Sequence, residues 1–383
     1  MTAREKELEL YVHIPFCVQK CLYCDFLSAA HDNDVQDAYM EALLTEVVGR
    51  AKECAEYEVQ TIFIGGGTPS VVDTVWIEKL LAAVREHYCM AEDAEISMEV
   101  NPGTVDLDKL LHYRNAGVNR LSIGLQSVSD EELKVLGRIH TFSQFLDAYA
   151  WAAEAGFDNC NVDIMAALPG QTMESYRETL KKVLSLNPPP KHISAYSLIV
   201  EEGTPFAELN EQKKLCLPEE ETEREMYWDT HKRLLEAGYE HYEISNYAMP
   251  GYACRHNIGY WKRRDYLGFG IGAASLLENR RFSNESNLEK YTEEPLNCRQ
   301  EAVSLTVKEQ MEEFMFLGLR MRSGICVKEF EEEFGESLRE IYGFVIDKNI
   351  RDGLLHMSED SAYLALTDRG IDISNYVLAQ FLL

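Results

Sequence analysis

Positive charge is scarce in this chain: 37 Lys and Arg face 65 Asp and Glu, a formal net charge of −28 over 383 residues. Such a field repels the phosphate backbone that supplies most nucleic-acid affinity, so no nucleic-acid partner is expected. Long apolar runs are missing too. None approaches the ~20 residues that cross a bilayer, and stable membrane insertion is not expected. The amino terminus, MTAREKELEL, lacks the apolar stretch of a secretory signal, which leaves the cytoplasm as the expected compartment. The ten cysteines then read as thiols rather than disulfides. There is no low-complexity tract, no Walker loop ending in Lys-Ser/Thr and no G-x-G-x-x-G pattern, so the usual nucleotide-phosphate loops are absent.

What is present is a rhythm. Short β-rich runs (LELYVHI from 8, TIFIG from 61, EISMEV from 95, NRLSIG from 119, NCNVDIM from 159 and HISAYSL from 192) alternate with amphipathic stretches such as Val35 to Ala55, Thr74 to Tyr88, Phe142 to Ala155, Met173 to Leu186 and Glu219 to Ala237. Six βα units predict a parallel sheet curling into a partial (β/α)6 open barrel, with a doubly wound open sheet as the rival. Either way, reactive groups belong at the carboxyl edge of the strands. Residues 1–240 are expected to form this domain. Residues 241–300, rich in Tyr, Gly and Asn, read as an irregular covering segment. Residues 301–383, helical patterns followed by a hairpin at GLLHMSEDSAYLALT, read as a smaller, mainly helical, winged-helix-like domain. The acidic runs Glu219 to Glu225 and Glu329 to Glu336 read as solvated helix faces.

CVQKCLYC places Cys17, Cys21 and Cys24 directly after the first strand with spacing C-x3-C-x2-C. Structural zinc normally takes four ligands in two close pairs, and no second pair follows at zinc spacing. Iron-sulfur clusters use thiolates, usually four; three in one loop leave one iron open to another ligand. The other seven cysteines, Cys54, Cys89, Cys160, Cys216, Cys254, Cys298 and Cys326, are scattered and read as small buried hydrophobes. GlyGlyGlyThrPro at 65–69 follows the second strand and by itself is a tight turn.

The cysteine spacing together with the flanking YVHIPFC and CDF resembles the radical S-adenosylmethionine (SAM) superfamily, in the branch that contains oxygen-independent coproporphyrinogen III oxidases and heme chaperones. The resemblance runs from about residue 8 to the end of the chain. It implies a [4Fe-4S] cluster on Cys17, Cys21 and Cys24, with SAM completing the open iron. It also implies SAM contacts from Gly66, Gly67 and Thr68, from Glu99 at the end of SMEV, and from Gln126, Arg138 and Asp163. Tyr11 and Tyr23 beside the cysteines match cofactor positions as well, and Ser197 matches more weakly.

RHNIGYW, residues 255–261, carries the H-N-x-x-Y-W pattern of the heme-chaperone branch. Imidazole is a common axial ligand of heme iron, so His256 is a candidate heme ligand, with a hydrogen-bonded packing role as the alternative. Where the oxidases have a further cysteine, this chain has Phe26, and the leader before Tyr11 is short. Both features favour a chaperone that binds one heme and passes it to an acceptor hemoprotein, for example a respiratory one. The alternative is an enzyme of porphyrin biosynthesis that converts coproporphyrinogen III to protoporphyrinogen IX by radical decarboxylation. A radical methyl transfer that opens heme is a third reading.

Overall fold

The structure is a computed structural model and describes residues 6–383; the leader lies partly outside them. Its core sheet begins with six mutually parallel neighbours, β1 (Lys6–Ile14), β2 (Tyr57–Gly66), β3 (Cys89–Val100), β4 (Arg120–Gln126), β5 (Cys160–Ala166) and β6 (His192–Ser197). Each coincides with one of the β-rich runs, because burial on both faces demands continuous apolar sequence: β4 is buried at every position. Helices fill the crossovers, capped as their sequences dictate. Asp32 accepts from Val35 N–H, Thr141 and Gln144 form a capping box, and so do Thr172 and Ser175.

The sheet is larger than the rhythm implied. β7 (Glu240–Glu243) and β8 (Asn246–Ala248) add antiparallel strands beyond β6, while β9 (Tyr266–Phe269) lies parallel to β1 and is followed outward by β10 (Ala274–Leu277), β11 (Arg280–Ser283) and β12 (Val303–Ser304). The twelve strands run β12-β11-β10-β9-β1-β2-β3-β4-β5-β6-β8-β7, and the sheet stays open between β12 and β7. Residues 241–300, read as irregular, therefore hold short strands of the main sheet. The strands from β7 to β12 have two to four residues each, too short for a period-2 pattern to show in sequence.

Glu46 pins that segment to the barrel. Buried on helix Asn33–Arg50, its carboxylate accepts from Gly270 N–H at 2.9 Å, Tyr291 Oη at 2.7 Å and Asn284 Nδ2 at 2.8 Å. Glu46→Ala takes an acceptor from three enclosed donors, of which Asn284 Nδ2 keeps only Gly270 O, and a loss of about 3 kcal/mol in urea unfolding is the expected result.

A second core, built from helices Val307–Gly318, Val327–Phe334 and Leu338–Arg351, packs against β13 (Ile325–Cys326), β14 (Leu355–Met357) and β15 (Tyr363–Leu366) in the order β13-β15-β14. It is tied to the main sheet by Arg263 to Glu313 and Glu333, both at 3.1 Å, and by Arg322 N–H to Tyr242 O at 3.0 Å. Among the described residues no helix is long and apolar enough to cross a membrane.

Candidate functional site

The carboxyl ends of the parallel strands surround a cavity of about 400 Å³. Cys17, Cys21, Tyr23, Cys24, Gly66, Gly67, Thr68, Glu99, Gln126, Arg138, Asp163 and Ser197 all line it. Of the residues singled out from sequence, only Tyr11 and His256 are elsewhere.

The cysteine loop is held from several sides. Cys17 N–H donates to Ala29 O at 3.0 Å, Leu22 N–H to Leu136 O at 3.0 Å, and Phe206 N–H to Leu22 O at 3.1 Å. The glycine strip packs beneath it. Gly67 N–H reaches Ile14 O at 2.9 Å and Thr68 N–H reaches Phe16 O at 2.7 Å. A Cβ on Gly67 would stand 2.7 Å from Phe16 O and 3.1 Å from Cys17 Sγ, and Gly66 sits at φ +112°, where a Cβ would strike the His13 ring. These glycines are there because the loop lies directly on their backbone.

Donors face the sulfurs. Arg138 Nη1 lies 3.7 Å from Cys21 Sγ, and Thr68 Oγ1 lies 3.6 Å from Cys17 Sγ. Arg138 is enclosed, and Nη2 is fixed by Gly124 O at 2.8 Å and by the Asn101 side chain. Burial pushes the Cys24 thiol pKa up. Among the described residues no three His, Cys, Asp or Glu side chains converge as a single metal ion requires. The three thiols line one cavity.

The opposite wall carries two enclosed carboxylates. Glu99, next to last in β3, accepts from Gly66 N–H at 3.1 Å, and burial, then the neighbouring Asp163, raises its pKa to about 7. Asp163 is likewise raised by burial, against hydrogen bonds from Asn161, Ser194 and Ser122. Gln126 ends β4 at φ 71°, a left-handed conformation uncommon outside glycine, and its Oε1 accepts from Tyr196 Oη at 2.9 Å. Strain of this kind, held by the β4–β5 register shift, turns the amide into the cavity lining.

Sequence reading passed over Asn101, which donates to Thr68 Oγ1 at 2.7 Å and accepts from Arg138, joining the glycine strip to the cation. NPG after a strand looks like a turn, and it is one; the bridging side chain leaves no local pattern. Tyr196 and Ser122 were missed for the same reason.

Tyr11 is packed behind the cavity, stacked on Phe63 with ring centroids 6.5 Å apart and hydrogen bonded to His13 at 2.9 Å. His256 is 1% exposed; Nδ1 meets Thr61 Oγ1 at 2.7 Å and Nε2 meets Tyr260 Oη at 3.0 Å. Burial, then Arg120, lowers its pKa to about 3. Each ring nitrogen thus has a hydroxyl within hydrogen-bond reach.

Beside it Glu9 is fully buried, with both carboxylate oxygens unpartnered among the described residues. Desolvation raises its pKa to about 9, so its 3.9 Å approach to His256 Nδ1 joins two neutral groups. Gly259 is required here, since a Cβ would fall 1.6 Å from Glu9 Oε1. Folded Glu9 keeps a proton that the unfolded chain loses above its ordinary 4.5, so its presence lowers stability progressively from pH 4.5 towards about 9. Glu9→Gln removes that loss. Equal urea midpoints near pH 4.5, and an advantage of about 3 kcal/mol for the variant near neutrality, are expected.

The scattered cysteines divide. Cys54, Cys160, Cys254 and Cys298 are buried as expected, whereas Cys89 and Cys216 are exposed and Cys326 is half-buried. Cys89 opens β3 at its outer end and Cys216 lies in a loop, where no core encloses them.

Residues 11–183 match the Radical SAM superfamily, and residues 305–373 match the HemN C-terminal domain. The chain is 38% identical to heme chaperone HemW of Lactococcus lactis over 99% of its own length and 98% of the relative's. It is 36% identical to heme chaperone HemW of Bacillus subtilis over 97% and 98%. Among solved structures, the radical SAM enzyme coproporphyrinogen III oxidase (HemN) of Escherichia coli superposes with a TM-score of 0.85 at 26% identity, covering 99% of this chain and 90% of that one. With the strand-edge cavity, the cysteine loop and full-length likeness in agreement, this chain belongs to the heme chaperone HemW family of radical SAM proteins.

Proposed function

We propose that this protein is a heme chaperone: it carries a [4Fe-4S] cluster with bound SAM at the strand-edge cavity, binds one heme and hands it to an acceptor hemoprotein. One observation carries the cofactor half of the reading. Three thiols, a glycine strip and two carboxylates line a single cavity of about 400 Å³. The donor set fits the group that the family implies. Cys17, Cys21 and Cys24 would hold three irons, leaving the fourth for the amino and carboxylate groups of SAM. When bound, the pair supplies one-electron chemistry at the sulfonium.

The protein's own residues set the conditions. Arg138 and Thr68 set donors within reach of two sulfurs. Glu99, at a strand end with Gly66 N–H already on one oxygen, is placed to accept the ribose hydroxyls. Tyr196 and Asn101 keep Gln126 and Arg138 from swinging out of the cavity.

For the cargo, the near full-length likeness to proteins described as heme chaperones supports transfer over catalysis. Phe26, 60% exposed in the cavity lining, stands where the oxidase pattern continues with a cysteine. Likeness to the solved oxidase over 99% of the chain keeps decarboxylation of coproporphyrinogen III as the second reading. Anaerobic reconstitution followed by separate titration with heme and with coproporphyrinogen, SAM and reductant tells them apart. Heme bound at one per chain and passed to an apo-hemoprotein, with no porphyrin product, is expected. Catalytic formation of protoporphyrinogen overturns the chaperone reading.

A further inference from the structure

A row of polar side chains crosses the inside of the barrel next to the thiol cavity. Cross-strand register sets Glu99 beside Ser122, Ser122 beside Asn161, and Asn161 beside His192. Alternate residues of a strand share a face, so these four stand on one side of the sheet. Their chain neighbours Leu121, Ile123, Val162 and Ile193 take the other side and belong to the main apolar core. Glu99 and Ser122 line the cavity, whereas Asn161 and His192 lie outside its lining, 2% and 0% exposed. Polar groups buried this deeply persist where they are paired, so their partners show what the row is for.

Every bond in the row has one direction. Burial, then the Arg120 guanidinium, holds the His192 pKa well below its ordinary 6.5, so the ring is neutral, with one nitrogen donating and the other accepting. Asn161 decides which. Its Nδ2 lies 2.7 Å from Asp163 Oδ1 and 2.7 Å from Ser122 Oγ, and because a carboxylate only accepts, the NH2 end of the amide faces Asp163. Asn161 Oδ1 then faces His192 Nδ1 at 2.6 Å, so Nδ1 carries the proton. Nε2 is left to accept from Tyr242 Oη, on β7, at 2.8 Å. Ser122 takes the second Asn161 proton and gives its own to Asp163 Oδ2 at 3.2 Å. Donors thus run from Tyr242 through His192 and Asn161 to a carboxylate in the cavity wall, and each Asp163 oxygen receives one.

Resting on the reading that SAM occupies the cavity, we propose that His192 is a positioning residue for that cofactor: through Asn161 it fixes the Asp163 carboxylate as an acceptor for SAM. Neither His192 nor Tyr242 lines the cavity, so their effect on SAM passes through Asp163. Without the Nδ1 proton, nothing on β6 obliges the Asn161 amide to keep its oxygen turned from Asp163, and a reversed amide sets oxygen against carboxylate. A buried chain satisfied at every link holds one arrangement, and a chain broken at one link loses it. Arg120, enclosed two residues before Ser122 on the same face of β4 and with Nε unpartnered among the described residues, favours both the neutral ring and the ionised carboxylate.

Calorimetric titration of SAM into the anaerobically reconstituted chain tests this. His192→Leu should weaken SAM about tenfold, whereas His192→Asn, which returns a donor to the place of Nδ1, should stay within about threefold of the parent. Beside Asp163→Asn the His192→Leu loss should vanish, because His192 reaches SAM only through Asp163. Tyr242→Phe removes one hydroxyl from the far end of the chain. It should weaken SAM about threefold with the same dependence on Asp163, and it carries the test if His192→Leu does not fold. Nitrogen-15 NMR of the full chain should find His192 protonated at Nδ1 and bare at Nε2. Parent-like affinity in His192→Leu and Tyr242→Phe, losses that persist in full beside Asp163→Asn, or a proton on Nε2 overturns the inference while the cofactor reading stands. A parent chain that takes up no SAM removes the cofactor reading, and the inference with it.

Discussion

Cys21→Ser is expected to yield a folded chain that no longer assembles a four-iron cluster. Cys21 lies in a loop pinned by backbone bonds on both flanks, at Cys17 and Leu22, and its own sulfur is not part of the packed core. Loss of the thiol therefore removes a ligand without removing a support. Arg138 Nη1, 3.7 Å from the sulfur in the parent, then faces an alcohol, a hard oxygen that is a poor iron ligand. After anaerobic reconstitution, iron and sulfide content should fall to a small fraction of the parent value and SAM binding should fall with them. Circular dichroism and the urea midpoint should stay close to the parent. A full cluster in this variant would remove the thiol loop from the mechanism.

Glu99→Gln is expected to spare the cluster and weaken SAM binding by about 10- to 100-fold, the effect of losing charge-assisted hydrogen bonds from two hydroxyls. The pH dependence carries the sharper signature. Burial holds Glu99 at about 7, so part of the population is protonated near neutrality. A carboxylate that accepts two hydroxyl protons is favoured in its ionised form, so binding must release a proton below that value and none above it. Affinity for SAM should therefore rise between about pH 6 and pH 8 in the parent and stay flat in the variant. Calorimetry in buffers of different ionisation enthalpy counts the released protons. A pH-independent affinity in the parent would separate Glu99 from the ribose.

How much of this was legible in the sequence depends on how local each signal is. β1 to β6 could be read because each carries a short β-rich run, and the helices between them carry their own caps. β7 to β12 could not, since a strand of two to four residues owes its existence to the edge it joins rather than to its own pattern. The thiol loop was plain from spacing, whereas Glu99 and Gln126, at strand ends, stood out only through the family resemblance. Asn101 was hidden because its work is a bridge between Thr68 and Arg138, residues distant in sequence.

His256 is prominent for its imidazole chemistry, while its neighbours Thr61 and Tyr260, one at each ring nitrogen, leave no trace in the local pattern. Cys326 reads as filler in sequence, and its strand partner sets it beside Tyr363 instead.

The most direct measurement is Mössbauer spectroscopy of the anaerobically reconstituted, iron-57-labelled chain with and without SAM. The expected result is one four-iron cluster per chain in which a single iron shifts on addition of SAM while the other three do not. A cluster with fewer irons, or four irons that all ignore SAM, would contradict it.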